Sequence, residues 1–73
     1  MDRFVIFYTY EGEVKSIIIS ANNKTDALKA MDYYDIFDIF YHDDIAKEDV
    51  KELKDFYKNN KNRYFYGLKR IHG

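Results

Sequence analysis

The sequence predicts a small α+β fold, a two-layer sandwich that runs β-hairpin, helix, strand, helix, strand over a mainly antiparallel sheet. Three observations predict it. Two β-branched and aromatic runs flank Glu11-Gly12-Glu13. Two later segments, from Lys24 and after Ala46, repeat apolar residues at helical spacing. The chain has 73 residues, 47% of them apolar, and no cysteine, so residues 1–73 read as one domain held by a packed core. Disulfides and thiolate metal sites are excluded.

The elements follow in order. Residues 3–10 (Arg3-Phe-Val-Ile-Phe-Tyr-Thr-Tyr10) contain no breaker and form a strand, and Val14–Ser20 returns beside it. Glycine at the third loop position suits a three-residue hairpin whose bulge glycine is left-handed. A three-residue loop with a bulge groups Phe4, Ile6, Tyr8, Val14, Ser16 and Ile18 on one face. A two-residue Glu11-Gly12 turn shifts the pairing by one and regroups the second strand. Both faces are apolar in either register, so each needs a cover.

Asn23 fits an N-cap and Asp26 the third helical position, which opens a helix expected over 24–34. Residues 33–42 carry two periodicities. Their aromatic and isoleucine content favours a strand, with Phe37, Ile39 and Tyr41 on one face and Ile36 and Phe40 on the other. A helix continued to Tyr41 is the alternative. Ile45 and Val50 stand at the spacing of a hydrophobic staple around an N-cap at Ala46. Ala46, Val50, Leu53 and Tyr57, helped by Phe56, then form a buried stripe. The helix is expected to stop in Asn59-Asn60-Lys61-Asn62, and residues 63–71 to close the sheet, weakened at Gly67.

Net charge is −1, yet the charges are segregated. Residues 32–55 hold nine acidic side chains against Lys47, Lys51 and Lys54, while residues 56–73 hold five basic side chains and no acid. Such a two-poled field can steer a charged partner. The acidic block is the first candidate interface: Asp32, Asp35, Asp38, Asp43, Asp44, Glu48 and Asp49 could bind a basic groove on another protein, imitating nucleic-acid phosphates. The plainer reading is a solvated face with ordinary helix-dipole placement of Glu48 and Asp49. The second candidate is the basic-aromatic end, where Arg63, Tyr64, Tyr66, Lys69 and Arg70 could track a backbone and stack bases. A pI near 6 lacks the basic footprint of a typical nucleic-acid binder.

Catalytic signatures are missing. The three glycines are isolated, so neither a phosphate loop nor a dinucleotide fingerprint exists, and Ser16 and Ser20 lack a nucleophile elbow. His42-Asp43-Asp44 is the one metal-like run, but neighbours on a strand end point different ways. The expectation is a non-enzymatic protein with no catalytic residue, metal or cofactor.

Isoleucine, lysine, asparagine, tyrosine and phenylalanine dominate, and proline is absent, the composition of an AT-rich genome. In composition, size and the hairpin-then-helix start from Phe4 to Met31, the chain resembles the accessory proteins of AT-rich Firmicutes phages and mobile elements. Many of those neutralise host defence systems, anti-CRISPR proteins among them. The resemblance implies an inhibitor that binds a host protein, and cytoplasmic residence in the host. No apolar run approaches a membrane span and Met1-Asp2-Arg3 does not start a signal peptide, so cytoplasmic location is also the residue-based expectation. The two-faced apolar hairpin raises a third reading, a homodimer that buries the face one helical layer leaves open.

Overall fold

A computed structural model describes residues 1–60. The expected closing strand over 63–71 lies outside the described residues. The order is β1 (Asp2–Tyr10), β2 (Glu13–Ala21), α1 (Lys24–Ala30), β3 (Asp35–Tyr41), a single 3₁₀ turn (His42–Asp44) and α2 (Lys47–Asn59). The sheet runs β2-β1-β3, antiparallel throughout. The α+β class and the order of the described elements are as the sequence predicts.

Strand β1 is central because Phe4, Val5, Ile6 and Phe7 are four consecutive apolar residues, and all four are buried. Such a run suits only a strand covered on both faces. Phe4 and Ile6 point to one cluster with Ala27, Leu28, Met31, Ile36 and Ile39. Val5 and Phe7 point to the other, with Phe37 and Tyr57, flanked by Val50 and Leu53. Helix α1 therefore covers one face and α2 the opposite one. The sequence-based picture put a single helical layer on the sheet; here each apolar face has its own helix.

The hairpin takes the two-residue turn. Tyr10 pairs with Glu13, and Glu11 and Gly12 both have positive φ, 51° and 79°. These are the signs of a type I′ turn, whose twist matches that of the strands. The bulged three-residue loop is thus corrected. Phe4, Ile6 and Tyr8 lie opposite Ile19, Ile17 and Lys15, and Val5, Phe7 and Thr9 lie opposite Ile18, Ser16 and Val14. Left-handed backbone is natural for Gly12 and costs Glu11 about 1–2 kcal/mol. Glu11→Asn, the favoured residue for that position, is expected to raise stability by about 0.5–1 kcal/mol, while Gly12→Ala lowers it by about 1–2 kcal/mol. Urea midpoints read both, and equal shifts of one sign would contradict the turn assignment.

Helix α1 starts as expected, with the Asn23 side-chain oxygen accepting the Asp26 N–H at 2.8 Å. It ends sooner, at Ala30 rather than Tyr34. Met31 N–H donates to Leu28 O and Asp32 N–H to Lys29 O, bonds of i→i−3 type that tighten the last turn. Asp32, Tyr33, Tyr34 and Asp35 are weak helix formers, so nothing prolongs it.

Residues 35–41 form the strand favoured over a longer helix, but not with regular alternation. Phe7 pairs with Asp38 and Tyr8 with Ile36, which leaves Phe37 as an extra residue in a bulge. Phe37 thereby joins the α2 side while Ile36 and Ile39 stay on the α1 side. The expected grouping of Phe37 with Ile39 is corrected by that one inserted residue. In α2, Tyr57 is buried and Val50 and Leu53 half-buried, as the stripe predicts, whereas Ala46 is exposed and Phe56 remains 45% exposed.

Candidate functional site

The seven carboxylates read as one candidate patch separate into two groups and one structural residue. Asp32 and Asp35 are exposed near the start of β3, beside the hairpin end. Asp43, Asp44, Glu48 and Asp49 are exposed beyond its other end, in the 3₁₀ turn and the first turn of α2. A seven-residue strand separates the groups, on the order of 20 Å.

Asp38 belongs to neither group. It is half-buried, accepts the Ile39 N–H at 2.8 Å and accepts the Tyr57 hydroxyl at 3.3 Å. It lies opposite Phe7 and shares the α2 side of the strand with Phe40. Burial, then the charge of Asp38 and its hydrogen bond, hold the Tyr57 phenol protonated well above its ordinary range. Tyr57 also stacks on Phe37, with ring centres 4.9 Å apart and planes 11° apart, so this pair joins strand to helix.

The second group surrounds an apolar hollow. Phe40, Ile45, Leu53 and Phe56 line an open groove of about 520 Å³, and Asp44, Asp49 and Glu52 stand on its rim. Sequence alone placed Ile45 as a staple and Leu53 in the core stripe; both contribute there too, since each stays half-buried rather than sealed. Glu52 was not among the candidate residues. Its signal was available: it lies three residues after Asp49 and four after Glu48, on one helix face with about 5–6 Å between Cβ atoms. Asp49 also accepts the Ala46 N–H at 3.4 Å, the reciprocal half of a capping box whose other half alanine has no side-chain oxygen to supply.

Among the described residues no lysine or arginine comes within ion-pair distance of Asp44, Glu48, Asp49 or Glu52, and the one close pair is His42 Nδ1 with Asp43 at 3.2 Å. No three groups of metal-ligating type gather among those residues. A second hollow, about 490 Å³, lies by the hairpin turn between Glu13 and Lys54, Asp55 and Lys58 and mixes both signs of charge.

Tyrosines divide as the charges do. Tyr10 and Tyr8 each pack on Tyr34, at 5.8 and 5.1 Å, with Tyr33 96% exposed beside Asp32 and Asp35. Tyr41 lies at the other end, against Phe4 at 4.9 Å and under the Lys24 ammonium at 5.1 Å. Arg63, Tyr64, Tyr66, Lys69 and Arg70 lie outside the described residues. The open sheet face that motivated a homodimer is covered within one chain by the second helix, although Ile17 and Ile18 on β2 remain 38% and 53% exposed. No described helix is long and apolar enough to cross a membrane.

Fold and surface define a small α+β domain with an acid-rimmed apolar groove. Compared with protein-family models, curated proteins and solved structures, the chain matches none of them.

Proposed function

We propose that this chain is a protein-binding module, an inhibitor of phage or mobile-element type that engages a basic surface on a host protein. The observation that supports this best is the end of the molecule formed by the 3₁₀ turn and α2, where exposed carboxylates, none of them in an ion pair with a described lysine or arginine, surround partly exposed apolar side chains. An apolar centre with a polar rim is the usual anatomy of a protein interface. Concentrated negative charge speeds encounter with a basic partner and disfavours acidic ones. A host protein that handles nucleic acid fits, because its phosphate-binding groove offers the matching charge.

The test is an affinity capture from an AT-rich Firmicutes lysate, with and without nuclease, using the wild type and an Asp43→Asn/Asp44→Asn/Glu48→Gln/Glu52→Gln variant. Asp38 and Asp49 are left in place because they hold Tyr57 and the start of α2. A stoichiometric, nuclease-resistant protein partner is expected, with capture reduced at least about tenfold in the folded variant, roughly 1.4 kcal/mol. Equal capture by both proteins would overturn the acidic interface. Loss of all capture on nuclease treatment would transfer the binding role to Arg63, Tyr64, Tyr66, Lys69 and Arg70.

A further inference from the structure

The groove between α2 and the end of β3 also limits what can fill it. Its floor is apolar, with Phe40 from the strand, Ile45 from the connection and Leu53 from the helix, and its rim carries Asp44, Asp49 and Glu52. An occupant must therefore present apolar side chains to the floor and positive charge to the rim. Extended and helical segments both do so, and β3 discriminates between them. Adding a strand needs a regular edge, whereas β3 has a bulge at Phe37 and carries Asp35 and Asp38. Bulges and charges are the usual guards against strand addition. The 13-residue α2 instead supplies a straight wall for a second helix, and its groove-lining residues Asp49, Glu52, Leu53 and Phe56 span two turns, about 10 Å.

The geometry points to a docking groove for a basic amphipathic helix of a partner protein, its apolar stripe against Phe40, Ile45 and Leu53 and its lysines or arginines against Asp44, Asp49 and Glu52. This rests on the protein-binding reading and adds the partner's shape to it. Helix-in-groove recognition uses apolar anchors at i, i+3, i+4 and i+7, and the rim charges would meet the flanks of such a stripe. The two other strong features are less specific. The Tyr8–Tyr10–Tyr34 corner sets one exposed and two half-buried rings near two carboxylates, and the hollow by the hairpin turn selects neither sign of charge.

Three synthetic peptides of about fourteen residues, roughly four helical turns, test it by NMR amide shifts on the full chain. One places leucines at helical spacing among lysines, one alternates the same leucines and lysines, and one replaces leucine with serine. Saturable shifts at Ile45, Leu53 and Phe56 are expected with the first peptide, at least about tenfold tighter than with either control. An Asp44→Lys/Glu52→Lys variant, changed only at exposed side chains, is expected to weaken that binding by about tenfold or more. Equal binding of the serine peptide would overturn the apolar groove while leaving the acidic interface intact. Equal binding of the alternating peptide would overturn the helical occupant. No shifts with any peptide, alongside capture of a partner that depends on the carboxylates, would sink this inference and spare the proposed function.

Discussion

A Phe7→Ala variant is expected to lose about 3–5 kcal/mol of folding stability, the usual cost of deleting a buried phenylalanine ring. Phe7 is fully buried at the middle of the central strand. Its ring meets Phe40 edge-on at 5.9 Å and Tyr57 at 5.5 Å, so it is shared by β3 and α2. Few neighbours can collapse into the space, because Phe37 and Tyr57 are already stacked on one another. A domain of 73 residues is expected to hold only about 4–11 kcal/mol in total, at 0.05–0.15 kcal/mol per residue. The loss is thus a large fraction of the whole. With a urea slope near 1 kcal/mol per molar, the midpoint should fall by about 3 M or more, or the transition should vanish. Ile17→Ala is the control, since Ile17 sits on the outer strand and is 38% exposed; its cost should stay near 1 kcal/mol or below. A Phe7→Ala midpoint within about 1 M of wild type would mean that the α2 side of the sheet is not a packed core.

That side of the sheet also marks where sequence reasoning succeeded and where it stopped. Phe4-Val-Ile-Phe7, the Asn23 cap, the strand at Asp35–Tyr41 and the α2 stripe through Val50, Leu53 and Tyr57 were legible, because each follows from local propensity or periodicity. The turn register was not. Gly12 accepts positive φ in either loop, and the choice fell on whether Glu11 would accept it too, for which the gain lies in long-range pairing. Nor was the bulge legible. Inserting Phe37 between two pairings is a tertiary event, and it puts Phe37 on the α2 side beside Asp38, which bonds to Tyr57 rather than joining a surface patch. A block of acids adjacent in sequence was therefore only partly adjacent in space: a strand carries its two ends apart, whereas a helix stacks residues a turn apart. Glu52 reached the candidate groove by that helical spacing, and Asp32 and Asp35 left it by the strand.

The Tyr57–Asp38 pair should make the domain unusually sensitive to alkali. An unfolded tyrosine loses its proton near pH 10. In the folded chain burial opposes a phenolate, and the nearby Asp38 carboxylate opposes it further, so ionisation is delayed to higher pH. The unfolded state then holds fewer protons than the folded state once pH exceeds about 10. Stability from this group is whole below that point and falls above it, by up to about 1.4 kcal/mol per pH unit. Tyr57→Phe separates the effect from other groups that titrate in the same range. At neutral pH the variant should be less stable by about 1 kcal/mol, since the hydrogen bond to Asp38 is gone while the ring stays. Above pH 10 wild type should lose stability faster than the variant, and by about pH 11 the two should meet or cross. Urea unfolding of both proteins at pH 7, 10 and 11 measures this directly. A constant difference across the three would show that the Tyr57 hydroxyl is ionising as a solvated phenol, which neither its burial between Phe7 and Phe37 nor its carboxylate neighbour allows.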